Sequence, residues 1–358
     1  MEEIMKQFMI EGEPIYSALY GSGHINHTFD LLTDSQHRYI WQKINHNVFK
    51  DIPSLMNNII MVTNYLKTKE SDPRRVLNPI PTKTGEWYIK DNMGNYWRAF
   101  DFIEDSICLD RPESPDDFYE SAVAFGMFQK QLADFPAEKL AETIPNFHNT
   151  PARYNQLKQA IKNNISGRKI NAMREIEFAL DREKDAGVMV KMLEEKKLPL
   201  RVTHNDTKLN NVMLDKKTRK QLCVIDLDCV MPGLMGNDFG DSIRFGASTA
   251  NEDERDLSKV EMNLEMFEAF AKGFMETCSS SMTKAEKETL ALAAKLMTLE
   301  CGTRFLADYL NGDTYFSVSR EAHNLDRCRT QFKLVADMEK KMDKMNEIVF
   351  KYDCGTDV

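Results

Sequence analysis

Four polar side chains between residues 200 and 215 have the types and the spacing that proton transfer and metal binding require. They are His204, Asp206, Lys208 and Asn211, and apolar residues lie on both sides of the group. A polar segment between two strand-like segments is typical of a loop that holds catalytic groups. In phosphoryl transfer, an aspartate accepts the proton of the acceptor hydroxyl, and an asparagine five residues later binds a metal ion. The spacing therefore predicts phosphoryl transfer, with Asp206 as the base.

A second acidic motif follows this loop. The apolar stretch that begins at Cys223 ends in Asp226, which predicts a buried strand with a carboxylate at its exposed end. Because kinases place another ligand of Mg²⁺ here, Asn211 and Asp226 are the predicted metal ligands. Asp228 would point to the same side of a continued strand, where it would share the metal or bind substrate. Lys208 would offset the charge of the transferred phosphate.

A chance turn and a phosphatase site also fit parts of this pattern. The loop could be an Asx-rich turn that matches by chance. An apolar strand followed by Asp-x-Asp also begins the phosphatases that use an aspartate nucleophile, and residues 236–241 loosely match their metal-binding loop. In those phosphatases the two motifs lie far apart, with a lysine and a Ser/Thr motif between them, whereas only a short loop separates them here. We therefore favour a kinase.

A glycine-rich turn in the first predicted hairpin could cover the phosphates of a nucleotide. Gly21 and Gly23 flank Ser22, and glycines let backbone amide groups approach an anion closely. A simple tight turn accounts for the same residues equally well. His24 and Asn26 follow at the tip of the hairpin, where they would contact the nucleotide or the acceptor.

The third predicted strand lacks the lysine that kinases use to hold the nucleotide phosphates. Matching this strand to kinases of small molecules puts Gln42 at the position of the lysine, with Lys43 facing the other way. The helix predicted after it offers no glutamate partner. Either Lys43 turns inward at a local bulge or the ion pair is absent. We favour its absence, which shifts the neutralisation of phosphate charge onto Mg²⁺ and Lys208.

A long apolar segment over residues 283–311 predicts a buried helix. It carries Glu300, Arg304 and Asp308 at i, i+4 and i+8. These residues could form a ladder of charge pairs or line a polar pocket. In a pocket, Arg304 and Asp308 would suit a substrate with several hydroxyl groups. Hydrogen bonds that fix a loop are the expected role of Asp238, Asp241 and Arg244.

Apolar periodicity divides the chain into a strand-rich part and a helical part. Before residue 104 it predicts a hairpin over 15–32, a strand over 39–44, a helix capped by Ser54, and two further strands. After residue 104 it predicts a helix capped by Ser114, two helices over 151–197, a strand at 222–227, and helices at 262–277, 283–311 and 327–350. The predicted fold class is α+β, with a small antiparallel-sheet N-lobe (1–104) and a larger, mainly helical C-lobe (105–358).

Composition narrows the partners and the compartment. The 358 residues carry a net charge of −9, which argues against nucleic acid as a partner because that role normally needs a basic face. Seven cysteines include no C-x-x-C pair, so neither a zinc site nor a disulfide framework is indicated. The first residues are too polar for a signal peptide, and no apolar run is long enough to span a membrane. We expect a cytoplasmic monomer with reduced thiols and no membrane partner.

Taken together, these motifs resemble the aminoglycoside phosphotransferase-type kinases, a superfamily that also includes choline and homoserine kinases. Within it, the sequence is most similar to the subgroup that phosphorylates N-acetylhexosamines. The glutamine at the lysine position also looks like that subgroup. The stretches that carry the resemblance are Leu200–Val212, Ile225–Asp228, Asp238–Ala250 (DFGDSIRFGASTA) and Glu300–Leu310 (ECGTRFLADYL).

The resemblance implies a two-lobed, protein-kinase-like fold and phosphorylation, by ATP with Mg²⁺, of the anomeric C1 hydroxyl of N-acetylglucosamine or N-acetylgalactosamine. It implies that His24 and Arg304 bind the sugar beside Asp206, and that adenine lies near Phe102 and Ile103. Two alternatives stay open. One is a kinase of another small alcohol, of the aminoglycoside, choline or homoserine type. The other is a nucleotide-binding regulator without turnover, for which the missing lysine is the argument.

Overall fold

The computed structural model describes residues 2–21 and 25–353, and its N-terminal region is built on an antiparallel sheet. The strands of this sheet are β1 (Pro14–Leu19), β2 (His27–Thr33), β3 (Arg38–Ile44), β4 (Pro79–Ile80), β5 (Ile89–Lys90) and β6 (Tyr96–Asp101). Their order is β1-β2-β3-β6-β4, and β5 pairs with β6. Helix α1 (Glu2–Met5) precedes the sheet, and helix α2 (Ile52–Lys67) follows β3.

The two faces of the sheet pack against different cores, because successive side chains of a strand point to opposite faces. On the outer face, Trp41 stacks on Trp97 with ring centroids 5.5 Å apart. On the inner face, Ile44 packs in the cluster that joins the sheet to α2 and to the C-terminal region. The register along β3 is continuous, with Thr28 opposite Gln42. Gln42 therefore shares the inner face with Ile44, and the bulge that would turn Lys43 inward does not form.

Helix α2 is fixed to the C-terminal region by one buried amide. Asn58 donates hydrogen bonds from Nδ2 to the carbonyl oxygens of Ala141 (2.8 Å) and Val230 (3.0 Å), and its Oδ1 accepts from the Ala141 N–H (2.9 Å). Asp51, rather than the predicted Ser54, caps this helix by accepting from the Ser54 N–H. The prediction was wrong because a proline suits the first turn, so the helix begins before it.

The C-terminal region contains the remaining helices. They are α3 (Pro115–Gln131), α4 (Thr150–Asn163), α5 (Met173–Leu180), α6 (Glu183–Ala186), α7 (Val188–Glu194), α8 (Met235–Gly246), α9 (Leu264–Cys278), α10 (Lys284–Asn311) and α11 (His323–Lys351). Ser114 caps α3, as predicted. The two helices predicted over 151–197 are four, because Asn164 ends α4 in a left-handed conformation and further breaks occur at Asp181 and Gly187.

Short strands in the C-terminal region frame the predicted catalytic loop. They are β7 (Ser106–Ile107), β8 (Arg201–Thr203), β9 (Val212–Asp215), β10 (Gln221–Val224) and β11 (Met231–Gly233). Strand β8 pairs with β11, and β9 pairs with both β7 and β10. The loop therefore connects two separate small sheets, which fixes both of its ends. An antiparallel sheet followed by a mainly helical region confirms the predicted α+β class.

Helix α10 is buried almost all round, as its apolar sequence predicts. A capping box of Thr283 and Glu286 begins it. Across the part of the chain that the structure describes, no helix is long and apolar enough to cross a membrane. The six cysteines there are all unpaired; Cys354 lies outside this part.

Replacing Asn58 tests how firmly α2 is fixed to the C-terminal region. Asn58→Ala removes the side-chain partner of the buried Val230 carbonyl and of the half-buried backbone groups of Ala141, and a buried group left without a partner costs about 1–3 kcal/mol. We expect a lower free energy of unfolding, measured by urea denaturation. Asn57→Ala, at the exposed neighbouring position, should change it by less than about 0.5 kcal/mol. Equal effects of the two substitutions would contradict the anchoring role.

Candidate active site

Two carboxylates of α8 hold the backbone of the predicted catalytic loop. Asp238 accepts hydrogen bonds from the N–H groups of His204 (2.9 Å) and Asn205 (2.8 Å). Asp241 accepts from the N–H of Thr207 at 3.1 Å. Residues 204–208 form neither helix nor strand before a short 3-10 helix at Leu209–Asn211, so their amide groups need such partners. Asp238 and Asp241 thus fix the loop, which is the role expected from the sequence.

His204 is a structural residue of this loop. Its Nε2 lies 2.8 Å from the carbonyl oxygen of Ile225, and its Nδ1 accepts from the Asp206 N–H at 3.3 Å. These contacts assign the ring proton to Nε2. The rings of Phe125 and Phe128 pack against it edge-on. His204 therefore ties the backbone at Asp206 to the segment that leads into Asp226.

The structure brings Asp206, Lys208 and Asn211 together. Lys208 Nζ lies 3.0 Å from Asp206 Oδ1. The Asn211 side chain donates from Nδ2 to the Asp206 carbonyl oxygen (2.8 Å) and to Asp206 Oδ2 (3.2 Å). The charge of Asp206, opposed by burial and assisted by Asp241, raises the pKa of Lys208. Lys208 is therefore a cation at every physiological pH.

Asp226 lies beside this group at the end of β10. The Ile225 N–H donates to the carbonyl oxygen of Asn211 at 2.9 Å, so the two segments run side by side. Asp226 has φ 58°, a left-handed conformation that is rare outside glycine and frequent at functional sites. Its carboxyl is accessible to solvent, but the surrounding protein atoms raise its pKa to about 7. The negative charges of Asp228 and Asp206 raise it as well, whereas the positive charges of Arg98 and Lys208 lower it.

This carboxylate group suits a divalent metal ion. Asp226 and Asn211 offer oxygen atoms, which Mg²⁺ and Ca²⁺ prefer, and the mutual repulsion of the carboxylates is what a cation would relieve. Within residues 2–21 and 25–353, no three Asp, Glu, His or Cys side chains form a closed metal-binding cluster.

Asp228 has protein partners for its carboxylate. Arg98 Nη1 lies 2.6 Å from Asp228 Oδ1, and Asn26 Nδ2 donates to Asp228 Oδ2 at 2.7 Å. The Asp228 side chain is almost completely buried. Its place in the structure is to join the segment after Asp226 to the N-terminal sheet, and a contact with substrate stays a prediction.

The same arginine holds Gln42. Arg98 Nε donates to Gln42 Oε1 at 3.0 Å, and Gln42 Nε2 donates to Thr28 Oγ1 at 3.0 Å. Both polar groups of the Gln42 amide are thus used within the sheet. Arg98 was missed from the sequence, where the available signal was one arginine between the apolar residues Trp97 and Ala99 of β6.

The structure describes part of the predicted nucleotide-binding residues. Gly21 has φ +78°, with open space where a Cβ would lie; Ser22, Gly23 and His24 lie outside the described residues. The Arg38 guanidinium covers the Phe102 ring at 3.6 Å, and the Phe102 N–H donates to the carbonyl oxygen of Arg38. Ile103 is buried in the inner core of the sheet. Adenine binding at Phe102 and Ile103 stays a prediction. The Phe102 N–H would not be available to the adenine, because it already donates to Arg38.

Arg304 lies among three aromatic rings. Its guanidinium carbon is 5.4–5.8 Å from the ring centroids of Phe147, Tyr315 and Phe316. Asp308, one turn further along α10, holds two of these rings in place. Its carboxylate accepts from the N–H groups of Thr314, Tyr315 and Phe316, each at 2.9 Å, and from Asn324 Nδ2 at 3.0 Å. Asp308 is thus an anchor of residues 314–316.

Glu300 forms a buried ion pair that the sequence did not reveal. His148 Nδ1 lies 3.0 Å from Glu300 Oε1, and Thr150 donates to Glu300 Oε2 at 2.7 Å. The other ring nitrogen of His148 lies 3.1 Å from the carbonyl oxygen of Asn205, next to Asp206. Burial disfavours the imidazolium, but Glu300 outweighs it and raises the pKa of His148. Glu300, Arg304 and Asp308 therefore have separate partners rather than a shared ladder.

Comparison with known proteins decides the family. The model of the phosphotransferase enzyme family matches residues 18–268, which include the glycine turn, the catalytic loop and Asp226. The chain belongs to the phosphotransferase enzyme family. This phosphotransferase also shares its fold with solved kinase structures, which confirms the predicted kinase-like architecture.

Three such structures illustrate the similarity in fold. A microcompartment-associated aminopropanol kinase has a TM-score of 0.60 and 14% identity, with 96% of this chain and 97% of that chain covered. An aminoglycoside phosphotransferase from Alicyclobacillus acidocaldarius has a TM-score of 0.60 and 11% identity, with coverage of 98% and 96%. An amicoumacin kinase in complex with AMP-PNP and Ca²⁺ has a TM-score of 0.57 and 12% identity, with coverage of 88% and 87%.

The His148–Glu300 pair predicts a pH dependence of stability. Because the folded-state pKa of His148 is raised, its contribution is complete below the unfolded pKa of about 6.5 and is lost as the pH rises through the folded-state pKa. His148→Gln removes this dependence. It also leaves Glu300 buried without a counter-charge, which costs about 3–5 kcal/mol.

Urea denaturation between pH 5.5 and pH 9 measures both effects. His27→Gln, at an exposed histidine of β2, should keep the wild-type profile. The double variant His148→Gln/Glu300→Gln should recover part of the loss, since no charge is then left unpaired. A wild-type pH profile in His148→Gln would show that the pair does not carry the effect.

Proposed function

We propose that this phosphotransferase transfers the γ-phosphoryl group of ATP to the anomeric C1 hydroxyl of an N-acetylhexosamine, either N-acetylglucosamine or N-acetylgalactosamine. The observation that carries the proposal is the position of Asp206. Its carboxylate lies 3.0 Å from Lys208 and 3.2 Å from Asn211. It is close to Asp226, which follows β10, and it belongs to a loop whose backbone is fixed by hydrogen bonds. A carboxylate held in this way can accept a proton from a hydroxyl group bound beside it.

In the proposed reaction, Asp206 accepts the proton of the C1 hydroxyl as its oxygen bonds to the γ-phosphorus. The bond from the γ-phosphorus to the bridging oxygen breaks, and ADP leaves with that oxygen. Lys208 lies beside Asp206, where its charge orients the carboxylate and offsets negative charge on the phosphoryl group. Asn211 holds Asp206 by its side chain. Most of the catalytic effect comes from such positioning and charge stabilisation.

Asn211 and Asp226 are the residues that would hold Mg²⁺. When bound, Mg²⁺ would neutralise charge on the nucleotide phosphates. Gly21 to Gly23 would cover the phosphates, and Phe102 and Ile103 would flank the adenine. An amicoumacin kinase of the same fold was solved with AMP-PNP and Ca²⁺, which supports the use of ATP and a divalent metal ion by this chain as well.

The residues around Arg304 favour a neutral, hydroxylated acceptor. The carboxylates on this side of Asp206 are occupied by protein partners: Asp241 pairs with Arg244 at 3.0 Å, Glu300 pairs with His148, and Asp308 accepts from three backbone N–H groups and Asn324. No acidic groove is therefore left among them for a polycationic aminoglycoside. A choline-type acceptor would need an aromatic cage for its ammonium group, and the three rings here already surround the Arg304 guanidinium. Arg304 and His24 are the proposed sugar ligands.

Coupled ADP release with a panel of acceptors tests the proposal. The panel is N-acetylglucosamine, N-acetylgalactosamine, glucose, kanamycin, choline and homoserine. We expect stimulation by the N-acetylhexosamines, together with loss of the reducing-sugar signal, because phosphorylation at C1 blocks the reducing end. Stimulation by choline or kanamycin alone would select the alternative of another small-alcohol kinase. Nucleotide binding without turnover on any acceptor would select the regulator.

Removal of the proposed base should abolish most turnover. Asp206→Asn keeps the size of the side chain but cannot accept the proton, so kcat should fall by roughly 10²–10⁴-fold. The Kd for ATP, measured by isothermal titration calorimetry, should stay within a factor of about three. Turnover equal to that of the wild type would remove Asp206 as the base.

The charge of Lys208 should matter more than its bulk. Lys208→Met keeps the apolar stem but removes the cation beside Asp206, and we expect kcat to fall by about 10–100-fold, as for removal of a charge that stabilises the transition state. Lys208→Arg keeps the charge and should retain more activity than Lys208→Met. The idea fails if both variants lose the same fraction of kcat.

A further inference from the structure

The N-terminal sheet contains a buried cation beside the position where other kinases have a lysine. Arg98 lies on β6 directly opposite Gln42 on β3, so the two side chains share the inner face of the sheet. The Arg98 side chain is 1% exposed, and its Nε donates to Gln42 Oε1. The position that offers the cation has thus moved from β3 to the neighbouring strand.

The carboxylate partner of this cation has moved as well. Helix α2 offers no glutamate; it contributes Met56, whose sulfur lies 3.8 Å from Arg98 Nη1. The carboxylate comes instead from Asp228, 2.6 Å from the same nitrogen. An arginine can hold two partners at once because its donors are arranged in a rigid fork. Arg98 uses this fork to join the sheet to the segment that carries Asp226.

Asp228 receives a second contact, from Asn26. This residue follows the glycine turn and immediately precedes β2; its Nδ2 donates to Asp228 Oδ2, and its Oδ1 accepts from the Asn45 N–H at 3.0 Å. One buried carboxylate therefore joins the flank of the glycine turn, the sheet and the metal segment. Asp226 has a strained left-handed backbone, and such a conformation persists only where its surroundings fix it. The contacts of Asp228, two residues away, provide that fixation.

We propose that Arg98 is a positioning residue that, through Asp228, holds the Asp226 carboxylate in place for the metal–nucleotide complex, and so replaces the lysine–glutamate pair of other kinases. Arg98 lies behind the site and contacts neither ATP nor acceptor in this role. The inference rests on the proposed use of a metal–nucleotide complex but not on the identity of the acceptor.

Binding of ADP in the presence and absence of Mg²⁺ tests this role without an acceptor. Partners that orient metal ligands typically change metal affinity or activity by 10–100-fold. In Arg98→Met we expect the Kd for ADP with Mg²⁺, measured by calorimetry, to rise by about 10–100-fold, while the Kd for ADP in EDTA changes by less than about threefold. Arg98→Lys should give an intermediate value, since a lysine keeps the charge but cannot hold both partners.

The matched control is Arg182→Met. Arg182 also holds a carboxylate, that of Glu339, through Nε and Nη2, but it joins the segment between α5 and α6 to α11, within the C-terminal region. It should leave both Kd values unchanged. A folded Arg98→Met protein that binds ADP with Mg²⁺ as tightly as the wild type would overturn the proposal. A wild-type protein that binds no nucleotide would instead overturn the proposed function.

A second variant covers the case in which Arg98→Met does not fold. Gln42→Lys restores the usual lysine but places a second cation beside the Arg98 guanidinium, since Gln42 Oε1 now accepts from Arg98 at 3.0 Å. We expect a lower melting temperature and weaker binding of ADP with Mg²⁺. Tighter binding in Gln42→Lys would mean that position 42 is a vacant phosphate site, and the replacement role of Arg98 would be wrong.

Discussion

The active site depends on the hydrogen bonds between α8 and the catalytic loop. Residues 204–208 of this loop form no regular structure, and each of their backbone amide groups would cost about 1–3 kcal/mol if it were buried without a partner. Asp238 and Asp241 accept three of these amides. Asp238 also accepts from Gln129 of α3 at 2.6 Å. The loop is therefore fixed to two helices of the core, and these helices determine the position of Asp206.

This solution places buried negative charge next to a site that must bind phosphates, and the chain balances that charge locally. Asp241 is paired with Arg244, Glu300 with His148, and Asp206 with Lys208. Asp228 is paired with Arg98. Among the described carboxylates of this group, Asp238 and Asp226 have no cation within 4 Å. Asp238 is buried and accepts from N–H donors, whereas Asp226 is accessible to solvent, and enclosure by protein atoms together with Asp228 and Asp206 raises the pKa of its carboxyl. The accessible negative charge thus coincides with the predicted metal ligand.

The sequence predicted the parts of the site that are local along the chain. Asp206, Lys208 and Asn211 lie within six residues, so their spacing alone indicated that they meet. Arg98 and Asp228, or His148 and Glu300, are more than a hundred residues apart, and only the folded chain brings them together. Asp308 was placed in a pocket because it aligns with Arg304 along α10. That alignment could not show that residues 314–316 fold back onto its carboxylate.

The prediction of the fold failed where apolar periodicity was weak. Residues 151–197 have few buried side chains, so breaks between the short helices there left little trace in the pattern, whereas α10 is buried on all sides and its bounds were predicted closely. The outline of the sheet was predicted too, because its strands alternate between two cores. The alternation of apolar and polar residues could not show that Arg98 lies opposite Gln42, because the pairing of β3 with β6 joins segments far apart in the sequence.

The contacts between the two regions also limit how the nucleotide cleft can open. Asn58 holds α2 to Ala141 and Val230, Arg98 holds the sheet to Asp228, and a continuous apolar cluster fills the space between these points. Rotation of the whole sheet would break both polar links and expose that cluster.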